Sequence, residues 1–365
     1  MNDVGELKRF VGTHARAQNL PPAATQQLLG RIRTDDPGGP GSWVGEWSAA
    51  ADALEQGGRD LDACRHYNIA RFPYVDSPAR QWALDRCVQA FDWWRADQRD
   101  IQRLDISVDG GQVRCWTTGL SALRRQPVLL VMGGIVSVKE QWAPVLLQAR
   151  RLGMAGVVTE MPGVGENTTR YTPRSWQLVS AVLDALGDRA DVARTYAVAL
   201  SFSGHLALRC AAADDRIRGI VTAGAPVSAF FTDPAWQRDL PRITVDTLAH
   251  IAATPAGRLP ADLGDWALCP EHLAALDIPV CCIASRRDEI IPAEDVRLLQ
   301  QHVRRFRLLE HDDVHGSPRH VAESRLWTVL SIMQMRGVHN AQRVAVSGLW
   351  RALRARGRLL PQTSS

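Results

Sequence analysis

The chain has 365 residues, 45% of them hydrophobic and 22% charged, with 43 basic against 39 acidic side chains for a net charge of +4. That length and balance describe a soluble globular protein of one enlarged domain or two coupled ones, and exclude a disordered or fibrous chain. No apolar run reaches the roughly 18–20 residues of a membrane span, and the scattered arginines, interleaved with Asp and Glu, do not form the basic stripe of a nucleic-acid binder.

The first dozen residues mix Asp3, Glu6, Lys8 and Arg9 with no apolar h-region, so no secretory signal is read and a cytoplasmic location is expected. Residues 1–100 are expected to form an N-terminal helical lid or cap, with helical patterns at 23–32, 47–55, 60–70 and 77–95 broken by Pro and Gly clusters such as 36–41. Trp43, Trp47, Trp82, Trp93, Trp94 and Trp116 suggest an aromatic layer packed on a neighbouring element.

From residue 101 the pattern changes to short apolar runs alternating with helices, the mark of β-α-β units. A hairpin is expected at 101–108 and 112–117, then strands at 128–132, 155–159, 195–200, 217–222, 279–284 and 305–309. Helices are expected at 139–152, at 173–186 and after Ser201. The fold class is therefore α/β, a mostly parallel central sheet over 101–345, with a lid insertion at 227–276 because so long a connection is seldom passive. Arg351, Arg354, Arg356 and Arg358 mark a basic C-terminal tail, 346–365, read as a solvated helix end. Seven cysteines, odd in number and without a C-x-x-C pair, read as reduced, mostly buried thiols, and neither a metal nor a cofactor is expected.

The chemistry is concentrated at strand ends. The strand 195–200 runs into Ala199-Leu-Ser-Phe-Ser-Gly-His205 and then an apolar helical pattern, a strand–turn–helix with Ser201 at its apex. This is a degenerate nucleophile elbow, with small Ala199 and Ser203 where glycines usually stand. An N-cap role is the alternative for Ser201. Asp288 follows the next-to-last strand and His315 lies in a loop beyond the last, so the order Ser201, Asp288, His315 is that of an α/β-hydrolase. His315 is the expected base and Asp288 its orienting acid, with His311, Asp312 and Asp313 as rivals. The oxyanion of an acyl-transfer intermediate is expected to meet the N–H of Phe202 and that of Ile135, with Gly134 beside it. Glu160 and Glu166, in the glycine-rich loop after strand 155–159, are read either as substrate-positioning groups at the mouth of the site or as loop-shaping acids. Phe230, Phe231, Trp236 and Trp266 in the lid are expected to line an apolar pocket for a bulky acyl or ketone substrate.

Together, Gly133-Gly134, Pro162-Gly-Val-Gly-Glu166, the Ser201 elbow, Asp288 and the His315 loop resemble the FrsA-like esterase group of the α/β-hydrolases over roughly residues 45–335. Within that group the chain is similar to the 2,6-dihydroxypseudooxynicotine hydrolases and to fungal enzymes that shorten polyketides, which cleave carbon–carbon bonds beside a ketone. The resemblance implies a Ser-His-Asp triad, no metal, an N-terminal helical lid and a homodimer. The expected reaction is cleavage of a ketone, ester or thioester through an acyl-enzyme. Acyl transfer or cyclisation on the same triad is a second reading, and a binding protein on a hydrolase fold a third.

Overall fold

The computed structural model describes residues 2–98 and 100–359. Five helices come first: α1 (Val4–Ala17), α2 (Pro22–Arg31), α3 (Trp43–Gln56), α4 (Asp60–Arg71) and α5 (Pro78–Ala96). They are followed by β1 (Gln102–Val108), β2 (Gly111–Thr118), β3 (Pro127–Met132), α6 (Lys139–Trp142), α7 (Leu146–Arg151), β4 (Ala155–Thr159), α8 (Gln177–Leu186), β5 (Asp191–Leu200), α9 (Phe202–Ala211) and β6 (Ile217–Ala223). The insertion holds α10 (Ala229–Thr232), α11 (Pro234–Arg238), α12 (Arg242–Ala252), α13 (Leu259–Leu263) and α14 (Pro270–Ala274). The chain then completes the sheet with β7 (Val280–Ser285), α15 (Ala293–His302) and β8 (Phe306–His311), and closes with α16 (Val321–Met335) and α17 (Ala341–Leu359).

One sheet of eight strands runs in the order β1-β2-β4-β3-β5-β6-β7-β8, with β2 antiparallel to both its neighbours, β1 and β4, and every other pair parallel. The unbroken apolar run of β3, Pro-Val-Leu-Leu-Val-Met, is buried at every position, as a strand covered on both faces requires. Crossing from β3 to β4 in one direction and to β5 in the other makes the carboxyl ends of β3 and β5 the place where the chain turns both ways, which is where open α/β sheets form their clefts.

The expected helix at 139–152 is broken into α6, a short 3₁₀ turn at Ala143–Val145 and α7. Pro144 has no N–H and cannot continue an α-helical ladder. The expected helix at 173–186 begins only at Gln177, after a run of turns. Helix α1 is not among the sequence expectations, yet its pattern is amphipathic: Asp3 accepts the Glu6 amide at 2.7 Å as N-cap, and Leu7, Val11 and Ala15 are buried along one face. Trp43, Trp47 and Trp116 are wholly buried, whereas Trp82 and Trp93 lie on the surface of α5.

Two anchors tie the outlying elements to the sheet. Asp295, wholly buried at the start of α15, accepts the backbone N–H groups of Val227, Ser228, Ala229 and Phe230 and so pins the first residues of the lid. Helix α1 is held by the Ile243 amide, which donates to Glu6 at 3.0 Å, and by Arg325, which donates to the Ala17 carbonyl. At the C-terminus α17 runs through position 346 without a break, its start set by Asn340, whose side chain accepts the Arg343 amide. Arg351 and Arg356 are exposed, and Arg354 stacks on Trp350 and reaches Glu323 at 3.7 Å. The Arg358 side chain and residues 360–365 lie outside the described residues. No described helix is long and apolar enough to cross a membrane, and the seven cysteines are free.

Candidate active site

Ser201 stands between β5 and α9 with φ +55° and ψ −129°, a backbone conformation that costs a residue with a Cβ energy and persists only where its surroundings enforce it. Its side chain caps no amide of α9, so the N-cap alternative does not describe it. The neighbour Ser203 is buried, with Oγ 2.9 Å from the carbonyls of both Met132 and Leu200, and is occupied with the backbone. Ser201 Oγ instead lies 3.2 Å from His315 Nε2.

On its other side His315 places Nδ1 at 2.9 Å and 3.0 Å from the two carboxylate oxygens of Asp288. A carboxylate only accepts, so Nδ1 carries the proton and Nε2 accepts from the serine hydroxyl. Asp288 is itself fixed, because Oδ1 also accepts the amides of Ile290 and Ile291 at 3.0 and 2.8 Å. Burial disfavours the imidazolium, but the charges of Asp288 and Glu289 outweigh it and hold the His315 pKa above the ordinary 6.5. Glu289 also accepts the His315 amide at 2.9 Å. Gly224, at the end of β6, makes room for the ring: it has φ +59°, and a Cβ there would sit 2.7 Å from His315 Cε1.

The rivals lie elsewhere. His311 is buried, stacked on His320 at 4.3 Å and 3.1 Å from Ser324 Oγ, and burial, then His320, push its pKa down to about 4. Asp313 accepts the Val314 and Arg319 amides, shaping the loop that carries His315. Asp312 is exposed and paired with Arg287.

Ser201 and His315 open into a cavity of about 160 Å³, lined by Ile135, Val136, Trp142 and Phe202 from the core, Ile243, Thr244 and Thr247 from α12, and Phe10, Thr13 and His14 from α1. Gly134, Ile135 and Phe202, the expected oxyanion-hole residues, all reach its wall. A methyl group on Gly134 would stand 3.0 Å from Ser201 Cβ, so the loop after β3 passes directly over the serine. As the first residue of α9, Phe202 has an amide with no intrahelical acceptor, aimed outward at a helix N-terminus.

Six residues expected at the substrate pocket or its mouth are not on that wall. Glu160 is wholly buried, and its carboxylate accepts the amides of Lys139 and Glu166 at 2.9 and 2.7 Å. Glu166 is bound by Lys139 at 2.6 Å and by Arg114 at 2.5 Å. With Glu140, 2.8 Å from Lys139 Nζ, they form a buried ionic knot behind the loop after β3, so both acids shape loops. Phe230 and Phe231 point into the core: Phe230 meets the edge of Phe202 at 5.1 Å and Phe231 meets His205 at 4.8 Å. Trp236 donates to the Ile290 carbonyl at 2.9 Å, supporting a wall residue from behind, and Trp266 packs on Tyr171 at 4.5 Å. The aromatic lining comes instead from Phe10, Phe72, Trp142 and Phe202.

His14, Glu289 and Arg71 are the site residues that the sequence reading overlooks. His14 sits 5.2 Å from Phe72, and burial, then Arg71 and His315, push its pKa down to about 3, leaving a neutral imidazole. Arg71 is wholly buried and has no carboxylate within 4 Å among the described residues; it donates instead to the carbonyls of Pro73 and Val136 and to Asn68, which fixes the loop after β3 from behind. Capping box, apolar stripe and basic last turn were the signals that could have revealed α1 and so His14. Among the described residues no group of His, Cys, Asp and Glu is arranged to hold a metal ion.

Comparison with known proteins bears on this geometry. The family described as "Esterase FrsA-like" matches residues 41–311. Esterase FrsA of Salmonella paratyphi B and that of Salmonella newport are each 27% identical over 289 residues, covering 71% of this chain and 68% of theirs. The solved structure of AbyA5 wildtype is 52% identical with a TM-score of 0.93, covering 96% of this chain and 100% of that one. The 2,6-dihydroxy-pseudo-oxynicotine hydrolase, 18% identical, shares the fold with a TM-score of 0.68 over 84% of this chain and 90% of its own.

Proposed function

From the premise that the chain belongs to the FrsA-like esterase family of α/β-hydrolases, we propose that it is a serine hydrolase of carboxylic esters with a compact acyl group, acting through Ser201, His315 and Asp288. The observation that carries this reading is the continuous contact from Asp288 through His315 to Ser201 Oγ at the wall of an apolar cavity. His315 Nε2 takes the hydroxyl proton as Ser201 Oγ bonds to the acyl carbon, and Asp288 stabilises the imidazolium formed. The amides of Phe202 and Ile135, beside Gly134, receive the oxyanion. His315 returns its proton to the departing alkoxide as the ester C–O bond breaks. Water, deprotonated by the same nitrogen, then attacks the acyl-serine and releases the acid.

Size and charge narrow the substrate. A cavity near 150 Å³ is just enough to take up benzene, so about 160 Å³ accommodates a short chain or a single ring, and a bulky remainder must lie outside. No lysine or arginine lines the described wall, and Glu289 is its one carboxylate. A carbanion leaving group would therefore meet no positive charge beyond the His315 imidazolium, whereas an alkoxide is fully served by the proton that His315 carries. This favours esters and thioesters over ketones.

Treatment with a fluorophosphonate, followed by peptide mapping, tests the reading. An adduct on Ser201 that disappears in Ser201→Ala and is strongly reduced in His315→Ala is expected. Labelling that ignores both substitutions would overturn it.

A further inference from the structure

The cavity is apolar in outline but not in all its groups. Neither ring nitrogen of His14 has a hydrogen-bond partner among the described residues, although the ring lines the wall. The side-chain hydroxyls of Thr13, Ser137 and Thr244, also on the wall, likewise have no partner among the described residues. Buried polar groups in folded proteins are nearly always hydrogen-bonded, and those left without a protein partner commonly mark where water or a ligand completes them. Here groups without a protein partner come from α1, α12 and the loop after β3, and on the same wall Gln141 Nε2 and Trp142 Nε1 are fully buried without one as well.

The placement of His14 is also enforced. Thr13, the preceding residue, packs so closely on the His315 loop that a Cβ on Gly316 would lie 3.1 Å from its methyl group. Helix α1 is tied to α12 through Glu6 and to α16 through Arg325, and the His14 ring rests on Phe72. A neutral imidazole held in this way offers one N–H donor and one lone pair, a match for a hydroxyl or keto oxygen and a poor match for a hydrocarbon. A plain alkyl or aryl acyl group would bury His14, Thr244 and Ser137 unsatisfied, which disfavours it.

We propose that His14 determines substrate choice by hydrogen-bonding an oxygen carried on the acyl group, so that the enzyme takes hydroxyacyl or oxoacyl esters in preference to their hydrocarbon counterparts. The proposal rests on the serine-hydrolase reading for its assignment of the acyl group to the cavity. His14 acts on specificity, and His315 remains the base.

The test compares kcat/KM for p-nitrophenyl 3-hydroxybutanoate and p-nitrophenyl butanoate. The wild-type ratio is expected to favour the hydroxy ester by about tenfold or more, the worth of one to two well-made hydrogen bonds. His14→Leu is expected to bring the ratio close to one, and His14→Gln, which keeps an N–H donor, to restore part of it. A ratio within one preparation does not depend on the folded fraction, so weakened docking of α1 cannot imitate the result. A wild-type ratio near one, or an equal loss on both esters in His14→Leu, overturns the proposal. Affinities of 3-hydroxybutanamide and butanamide for Ser201→Ala, with and without His14→Leu, are measured in parallel by ligand-observed NMR. An amide preference that depends on His14 while Ser201 resists the fluorophosphonate would sink the hydrolase reading and keep the role of His14. A labelled Ser201 with no amide preference would do the reverse.

Discussion

Two loops at the carboxyl ends of central strands withdraw ionisable groups from water, and they do so in opposite ways. Behind the loop after β3, Lys139, Glu140, Glu160 and Glu166 form a knot in which the lysine meets all three carboxylates and Arg114 supports Glu166. At the end of β5, by contrast, Ser201 and His315 face a space bordered by His14, whose ring nitrogens have no hydrogen-bond partner among the described residues. Burial of charge is common to both regions, and in the knot burial, joined by the charges of Glu140 and Glu166, pushes the Glu160 carboxyl up to about 7 against the pull of Lys139. In the knot every carboxylate oxygen but Glu140 Oε2 meets a protein partner, whereas at the site the unpartnered groups line a cavity, and that separates a site from a structural brace.

The contrast can be broken at either end. Ser201→Ala is expected to cut ester turnover by roughly 10³-fold or more while leaving denaturation by urea unchanged, because only the nucleophile is lost. Lys139→Met should do the opposite, leaving three carboxylates around an uncharged side chain and costing about 3–5 kcal/mol of stability by urea denaturation. If Lys139→Met proved as stable as wild type but inactive, the knot would be part of the site. Gly134→Ala places a methyl group 3.0 Å from Ser201 Cβ and is expected to lower kcat about 10–100-fold through misplaced oxyanion donors, with an unchanged melting temperature. The smallest effect is on pH. The His315 pKa is raised above 6.5, so kcat/KM should climb with pH along a limb centred above that value. Stability contributed by the charged His315–Asp288 pair is present in full below the unfolded pKa of histidine and lost as pH rises through the folded one. In Asp288→Asn only Glu289 is left to oppose burial, and the residual limb should move to lower pH than in wild type.

The central strands were legible because they are short apolar runs bounded by turn residues, and the order Ser201, Asp288, His315 was legible because each lies within a few residues of the end of such a run. The parts that escaped are non-local. Nothing near Glu160 or Glu166 in sequence announces Lys139, which stands 21 and 27 positions away, and without it two acids beside glycines look like substrate ligands. Phe230 and Phe231 were rightly judged apolar, but composition does not say which way an aromatic faces, and both turn to the core. Helix α1 is charged and lies far in sequence from the elements it packs on. Its docking on α12 and the His315 loop can be seen only in three dimensions.

That docking bears on how the enzyme is made. Phe10, Thr13 and His14 leave the ribosome long before the groups that seat their helix: the Ile243 amide lies 237 positions after its partner Glu6, and Arg325 lies 308 after its partner Ala17. A nascent chain that has already formed the Ser201 elbow still lacks both its histidine and its roof. The helix that carries His14 therefore finds its seat only after α12 and α16 have been made, long after its own synthesis.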